Sequence, residues 1–208
     1  MKYINSLILA CSLSLLSATA NATPIISFFI DGNTFYNSFE IQNDSTANEK
    51  IESASIDLSG LGVVFDTVSG GVVNNSDGKQ FTPVGGSDLA TGLVGPVVVA
   101  DGASFFEMFF TDFDSGESIV WDIDLDFMPS PTRVDGDDLI GALVSIVFSS
   151  GETLFGSLEA VSGNSDASQF VASGITIGGP GSSVAVSAPG TFGILVLSMA
   201  LMLVRRFR

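Results

Sequence analysis

The absence of a helical period between residues 23 and 181 is the strongest constraint on the fold. No stretch of a dozen residues there keeps the 3.6-residue spacing of an amphipathic helix. Short runs rich in Ile, Val, Phe and Thr alternate instead with turns of Gly, Asn, Asp and Ser, a pattern typical of β-strands joined by tight turns. We therefore predict an all-β domain over residues 23–177, a two-sheet antiparallel β-sandwich of the jelly-roll or Ig-like kind.

The predicted strands span residues 25–30, 34–42, 51–58, 62–65, 93–99, 104–112, 118–127, 139–149, 153–161 and 170–177. In the strand 118–127, apolar residues occupy the odd positions from 119 onwards, and Asp122, Asp124 and Asp126 occupy even ones. Alternate side chains of a strand point to opposite faces, so Trp121 should enter the core and the three carboxylates should form an outer column. Such a column is tolerated in water and favoured when a cation bridges it. The strand 104–112 is aromatic on both faces, which predicts a central position or a covering loop.

The N-terminus has the layout of an export signal over residues 1–22. Lys2 gives the positive start, residues 7–16 the apolar centre, and Ala20-Asn21-Ala22 the small-x-small pattern that precedes a cleavage site. Cleavage after Ala22 would remove Cys11, the one cysteine of the chain. We expect the mature domain to be stabilised without disulfides.

The C-terminus has the layout of a membrane anchor. Residues 178–186 form a Gly/Ser-rich linker, and residues 191–204 contain no charged side chain. The chain then ends with a basic stop formed by Arg205, Arg206 and Arg208. Because arginine is retained on the cytoplasmic side of a membrane, we predict a C-terminal transmembrane helix within residues 187–208.

This tail resembles the PEP-CTERM sorting signal of Gram-negative bacteria, in which a Val-Pro-Glu-Pro-like motif precedes a short apolar helix and a basic end. The corresponding motif here is Val186-Ser187-Ala188-Pro189, which keeps the outer Val and Pro but lacks the inner proline and the glutamate. The resemblance implies processing by exosortase, a membrane-embedded transpeptidase, and a final location at the cell surface or outside the cell. A plain single-pass anchor is the alternative.

The charge of the predicted domain excludes nucleic acid as a partner. All 23 acidic residues lie between the two terminal segments, against three basic ones, Lys50, Lys79 and Arg133, for a net charge of −20. Such a surface repels nucleic acid and anionic lipid. It attracts divalent cations and basic partners, or it serves solubility alone.

Two acidic turns are candidate Ca²⁺ sites, because hard cations take several carboxylate oxygens. Neither turn matches an EF-hand, and acidic hairpin turns also occur without metal. The candidate ligands are Asp112, Asp114 and Glu117 in the first turn and Asp135, Asp137 and Asp138 in the second.

The composition argues against catalysis. The chain has no histidine, and its cysteine lies in the predicted signal peptide, so Ser-His-Asp and Cys-His systems and His or Cys zinc sites are excluded. We expect no catalytic residues.

The leading hypothesis is a non-catalytic surface or extracellular-matrix protein. The alternatives are a calcium-dependent carbohydrate-binding or adhesion module that meets extracellular polysaccharide and, more remotely, a glycoside hydrolase that uses two carboxylates.

Overall fold

The structure is a computed structural model that describes residues 24–36, 39–46, 49–73 and 77–177. The prediction of an all-β, antiparallel domain is confirmed over these residues. The strands are β1 (Ile26–Asp31), β2 (Phe39–Asn43), β3 (Ile51–Asp57), β4 (Val63–Phe65), β5 (Thr82–Pro83), β6 (Phe105–Phe113), β7 (Ser118–Asp122), β8 (Leu125–Phe127), β9 (Leu143–Phe148), β10 (Glu152–Val161) and β11 (Asn164–Ile177). A four-residue helix, α1 (Ser87–Ala90), and one 3₁₀ turn (Gly136–Leu139) lie between strands.

Nine strands form one antiparallel sheet in the order β5-β7-β2-β1-β11-β10-β9-β3-β6, and β4 pairs with β8 separately. The large sheet is curled. Trp121 of β7 lies 6.4 Å, centroid to centroid, from the ring of Phe106 on β6, although β7 and β6 lie towards opposite ends of the strand order. The two halves of the sheet therefore face each other across one core.

The core is centred on Trp121, which is fully buried as the alternation predicted. Its indole contacts the rings of Phe28, Phe39 and Phe81 at centroid distances of 5.9, 5.3 and 5.8 Å, in addition to Phe106. Burial of each large apolar side chain contributes about 1.5 to 3 kcal/mol. This aromatic cluster joins strands from both halves and stabilises the curl.

The predicted strand 118–127 is in fact two strands. β7 pairs with β2 in the large sheet, and β8 leaves that sheet to pair with β4. The predicted outer column of carboxylates is wrong as a consequence. Asp122 is partly exposed, but Asp124 and Asp126 are buried, because β8 is covered on both faces once it has left the sheet.

Two other strand predictions need correction. β6 is an edge strand rather than a central one, and Phe105 and Phe109 are about half exposed on its outer face. Residues 93–99 form no strand, although Leu93 makes an isolated bridge to Phe110 on the edge of β6. The alternative prediction, that a loop packs against this strand, is the one the structure supports, because the N–H of Val94 donates to the carbonyl of Phe109 over 2.8 Å.

The predicted signal peptide, linker and sorting tail lie outside the described residues, and so do their candidate positions Val186, Ser187, Ala188, Pro189, Arg205, Arg206 and Arg208. Within the part of the chain that is described, no helix combines the length and the hydropathy needed to span a membrane.

Candidate metal centre

Three aspartates converge where the β4–β8 pair ends. Phe65 is the register partner of Leu125, so Asp66 follows directly opposite Asp124, and the Asp66 N–H donates to the Asp124 carbonyl over 2.9 Å. Asp124 immediately precedes β8, and Asp126 lies within β8, two residues further along the chain. The strand register thus brings together carboxylates that are 58 and 60 positions apart in the sequence.

The main chain of Lys79 fixes this arrangement from a third side. The Lys79 N–H donates to the Asp66 carbonyl over 3.0 Å, and the Asp124 N–H donates to the Lys79 carbonyl over 3.1 Å. The Lys79 ammonium has other acceptors, since it pairs with Asp122 at 3.1 Å and also donates to the Phe35 carbonyl. Three chain segments therefore hold the cluster without supplying it with a cation.

The cluster is buried. Asp66, Asp124 and Asp126 are 0 %, 6 % and 1 % exposed, and one carboxylate oxygen from each lies within 4.8 Å of the other two. Both carboxylate oxygens of Asp66 are inaccessible to solvent and accept no well-formed hydrogen bond, although the nearby Val68 N–H acts to lower the pKa of Asp66. A buried carboxylate without donors is costly, because desolvation of a charged group is not offset by protein dipoles.

Burial and like charge act on the protonation of the cluster in the same direction. Burial, followed by the neighbouring Asp126 and Asp101 carboxylates, raises the pKa of Asp66 to about 7. Burial, followed by the charges of Asp126 and Asp66, raises the pKa of Asp124 to about 7 as well. Near neutral pH the cluster therefore takes up either protons or a cation more readily than ordinary aspartates do.

A fourth acid, Asp101, supports the loop that follows β4. One of its carboxylate oxygens accepts from the Thr67 N–H at 3.0 Å and the other from the Val72 N–H. Although partial burial opposes it, these main-chain donors hold the pKa of Asp101 below its usual value. A side chain at Gly71 would collide with this carboxylate, since an added Cβ would lie 2.1 Å from Asp101 Oδ2.

An open pocket of about 220 Å³ connects the cluster to solvent. Asp124 and Asp126 line it, whereas Asp66 does not, and Asp77 adds a further carboxylate. The other lining residues are Asn33, Phe35, Tyr36 and Arg133. The pocket is polar enough and large enough to admit a hydrated ion.

Each basic side chain of the described residues has an acidic partner other than Asp66 and Asp124, although Arg133 also lines this pocket. Lys50 pairs with Asp112 and Asp114, and Arg133 pairs with Asp135 at 2.7 Å. Lys79 pairs with Asp122, and neither Asp66 nor Asp124 takes part in an ion pair.

Comparison of the chain with protein-family models, curated proteins and solved structures gives no significant match. The site is therefore interpreted from its own geometry.

The first acidic turn predicted as a Ca²⁺ site is organised by a lysine. The Lys50 ammonium lies 2.7 Å from Asp112 Oδ1 and 2.9 Å from Asp114 Oδ1, and these contacts, Asp112 first, raise the pKa of Lys50. A Glu117 carboxylate oxygen accepts from the Asp114 N–H at 2.7 Å. In this turn, local donors occupy the carboxylates that the sequence analysis assigned to calcium.

The second predicted turn does bring Asp135, Asp137 and Asp138 together, with one oxygen from each within 4.8 Å of the others. None of the three is buried. Asp135 and Asp138 form a capping box around the 3₁₀ turn, in which the Asp135 N–H donates to Asp138 Oδ2 over 2.9 Å, and Asp135 also accepts from Arg133. The two turns do not form one six-residue carboxylate cluster among the described residues.

Sequence reasoning found part of the buried cluster. Asp124 and Asp126 were singled out as members of a carboxylate column that a cation would favour, but Asp66 was missed. Asp66 follows the short run Val63–Phe65, and only the pairing of that run with β8 shows which acids meet.

Proposed function

We propose that the chain is an exported, non-catalytic cell-surface or extracellular-matrix protein of a Gram-negative bacterium, sorted or anchored by its C-terminal tail. The observation that carries this proposal is the uncharged segment 191–204 followed by Arg205, Arg206 and Arg208. The N-terminal small-x-small pattern supports it independently. Its partners would be the membrane, an exosortase-like transpeptidase and extracellular polysaccharide.

The described domain is compatible with such a role. It has a continuous core and contains neither cysteine nor histidine, so it needs no disulfide to fold in an oxidising or a reducing compartment. A two-layer sandwich of the jelly-roll or Ig-like kind is the finer architecture that we propose for the curled sheet.

Mass determination of both ends of the protein, after expression in a Gram-negative host that has an exosortase, tests the proposal. We expect an N-terminus at Thr23 in the envelope or medium. Loss of the terminal arginines would identify the tail as a sorting signal, and their retention in the membrane fraction would identify it as an anchor. A variant with serine at positions 205, 206 and 208 should be mislocalised. Soluble cytosolic protein that keeps both Met1 and Arg208 would contradict the proposal.

A groove on the outer face of the large sheet supports a second candidate, the calcium-dependent carbohydrate-binding or adhesion module. In this groove of about 370 Å³, the apolar side chains of Phe105, Leu143 and Phe155 are 40 to 59 % exposed. Hydroxyl and carboxylate groups lie beside them, from Ser55, Asp57, Ser145, Ser157 and Ser173. Exposed rings next to polar side chains suit the apolar faces and hydroxyls of sugars.

Binding to a panel of bacterial polysaccharides, measured with and without Ca²⁺, tests this second candidate. Phe155→Ala should weaken binding at least tenfold. Phe109→Ala is the matched control, since Phe109 is as exposed as Phe105 but does not line the groove. Equal effects of the two substitutions, or no binding by the wild type, would reject the candidate.

A further inference from the structure

We propose that Asp66, Asp124 and Asp126 form a structural binding site for one Ca²⁺ ion, which joins the β4–β8 pair to the loops around it. This inference does not depend on export or on sugar binding. It follows from the convergence of three buried carboxylates, one in β8 and two directly beside the paired ends of β4 and β8.

Asp66 is the observation that points to a ligand rather than to a merely acidic surface. Its side chain is fully buried, neither of its oxygens accepts a well-formed hydrogen bond, and one of them lies within 4.8 Å of oxygens from Asp124 and Asp126. Burial and the neighbouring carboxylates raise the pKa of Asp66, and they outweigh the nearby Val68 N–H, which acts to lower it. Buried polar atoms in folded proteins nearly always have a partner. Of the two acidic clusters of the described residues, this is the one whose carboxylates are buried.

The spacing of the oxygens suits calcium. Two ligands bound to one ion at about 2.3 to 2.6 Å lie at most about 5 Å apart, when they are on opposite sides of the ion. The upper limit of 4.8 Å in the cluster falls within that range. The three oxygens therefore need little movement to contact a common ion.

The donor set selects an oxygen-seeking cation. The chain has no histidine, and the cluster offers only carboxylates, which favour Ca²⁺ or Mg²⁺ over zinc or copper. Calcium takes six to eight oxygens in flexible geometry, whereas Mg²⁺ requires a near-ideal octahedron at shorter distances. The pocket lined by Asp124 and Asp126 provides room for water ligands, and Asp77 adds a further carboxylate to its lining. An irregular, carboxylate-rich site of this kind favours calcium.

The ion would stabilise the smaller of the two sheets. β4 and β8 have three residues each and form a two-stranded sheet apart from the large one, although Val63, Phe65 and Leu125 pack in the core. Main-chain bonds that join Phe65 to Ala103 and Gly102, and Met128 to Gly62, also tie this pair to its neighbours, and the ion would add a direct link between its two chain segments. A cation bound to both strands would replace repulsion between their carboxylates with attraction.

Thermal unfolding of the full chain, purified in detergent and stripped with EDTA, tests the site. At pH 7.5, CaCl₂ added up to 10 mM should raise the melting temperature by about 5 to 10 °C once its concentration reaches 100 times Kd. An equal ionic strength of NaCl should have little effect. The double variant Asp66→Asn/Asp124→Asn should lose the rise. It should also melt above the wild type in EDTA, because it lacks the repelling charges.

Asp137→Asn is the control variant, since it alters the other acidic cluster, and it should keep the full rise. If the double variant does not fold, Asp66→Asn alone is compared by titration calorimetry, where the wild type should bind one Ca²⁺ and the variant should bind at least tenfold more weakly. An unchanged wild-type melting temperature at 10 mM CaCl₂ would overturn the site. A rise that persists without Asp66 and Asp124, or that Mg²⁺ produces and Ca²⁺ does not, would overturn it equally.

Discussion

Asp66 lies directly opposite Asp124 at the end of the β4–β8 pair, and the N–H of Asp66 donates to the carbonyl of Asp124 over 2.9 Å. This main-chain bond holds the two backbones together, so the buried carboxylates can move apart only by rotation of their side chains. At neutral pH the domain must then protonate the cluster, bear its repulsion or bind a cation. The stability of the domain should therefore depend on both pH and calcium.

The metal-free protein should lose stability as the pH rises. The pKa values of Asp66 and Asp124 are raised from 3.8 to about 7 in the folded state, so folding favours their protonated forms. The stability that this gives the folded state is fully present below about pH 4 and is lost as the pH rises through 7. At about 1.4 kcal/mol per pKa unit, such a rise corresponds to about 4 kcal/mol for one carboxyl group, and because the two groups are coupled we expect a total loss on the order of 4 kcal/mol or more. Urea unfolding in EDTA at intervals from pH 4 to 8 measures this loss of unfolding free energy. Saturating Ca²⁺ should flatten the dependence of the unfolding free energy on pH.

The double variant Asp66→Asn/Asp124→Asn separates this effect from the general charge of the domain. Its profile should be flatter than that of the wild type in EDTA, because the remaining acids titrate in both proteins. Superimposable profiles would show that the cluster does not govern the pH dependence.

Asp101→Asn should destabilise the domain by about 1 to 2 kcal/mol. An amide nitrogen accepts no hydrogen bond, so the N–H of either Thr67 or Val72 would lose its acceptor. Glu107→Gln removes an equal charge from an exposed position of β6 and should change the free energy of unfolding by less than about 0.5 kcal/mol. Urea unfolding compares the two variants, and equal changes would count against the role of Asp101 as a loop support.

Phe106→Ala and Phe109→Ala test the curl of the sheet, because both residues lie on β6 but on opposite faces. Phe106 is buried against Phe65, Phe81 and Trp121, so its truncation should cost about 3 kcal/mol or more. Phe109 is about half exposed, and its truncation should cost less than about 1 kcal/mol. Unfolding followed by Trp121 fluorescence measures both. Similar losses would contradict the placement of β6 across the core from β7.

Most of the β-structure could be predicted from the sequence, because strand-forming runs and turn residues act locally. The runs that became β3, β6 and β10 begin and end within one residue of their predicted limits. The Trp121 side chain enters the core as alternation requires. Local patterns do not show which strands pair, so the single curled sheet and the edge position of β6 required the structure.

The candidate site was only partly predictable for the same reason. The alternation in 118–127 describes one strand with two faces, but it does not show that the chain changes partner after Asp122 and buries its polar face. Asp66 precedes Asp124 by 58 positions, and no local pattern connects them. The acidic turns near Asp114 and Asp137 were more conspicuous in sequence, yet hairpin and cap contacts account for several of their carboxylates.

The calcium content of the full chain tests the buried site most directly. After equilibration in buffer containing 1 mM CaCl₂ and rapid removal of free ion, metal analysis should find one Ca²⁺ per wild-type chain and per Asp137→Asn chain. It should find close to none in Asp66→Asn/Asp124→Asn. Wild-type protein without bound calcium, or a double variant that keeps its ion, would contradict the assignment.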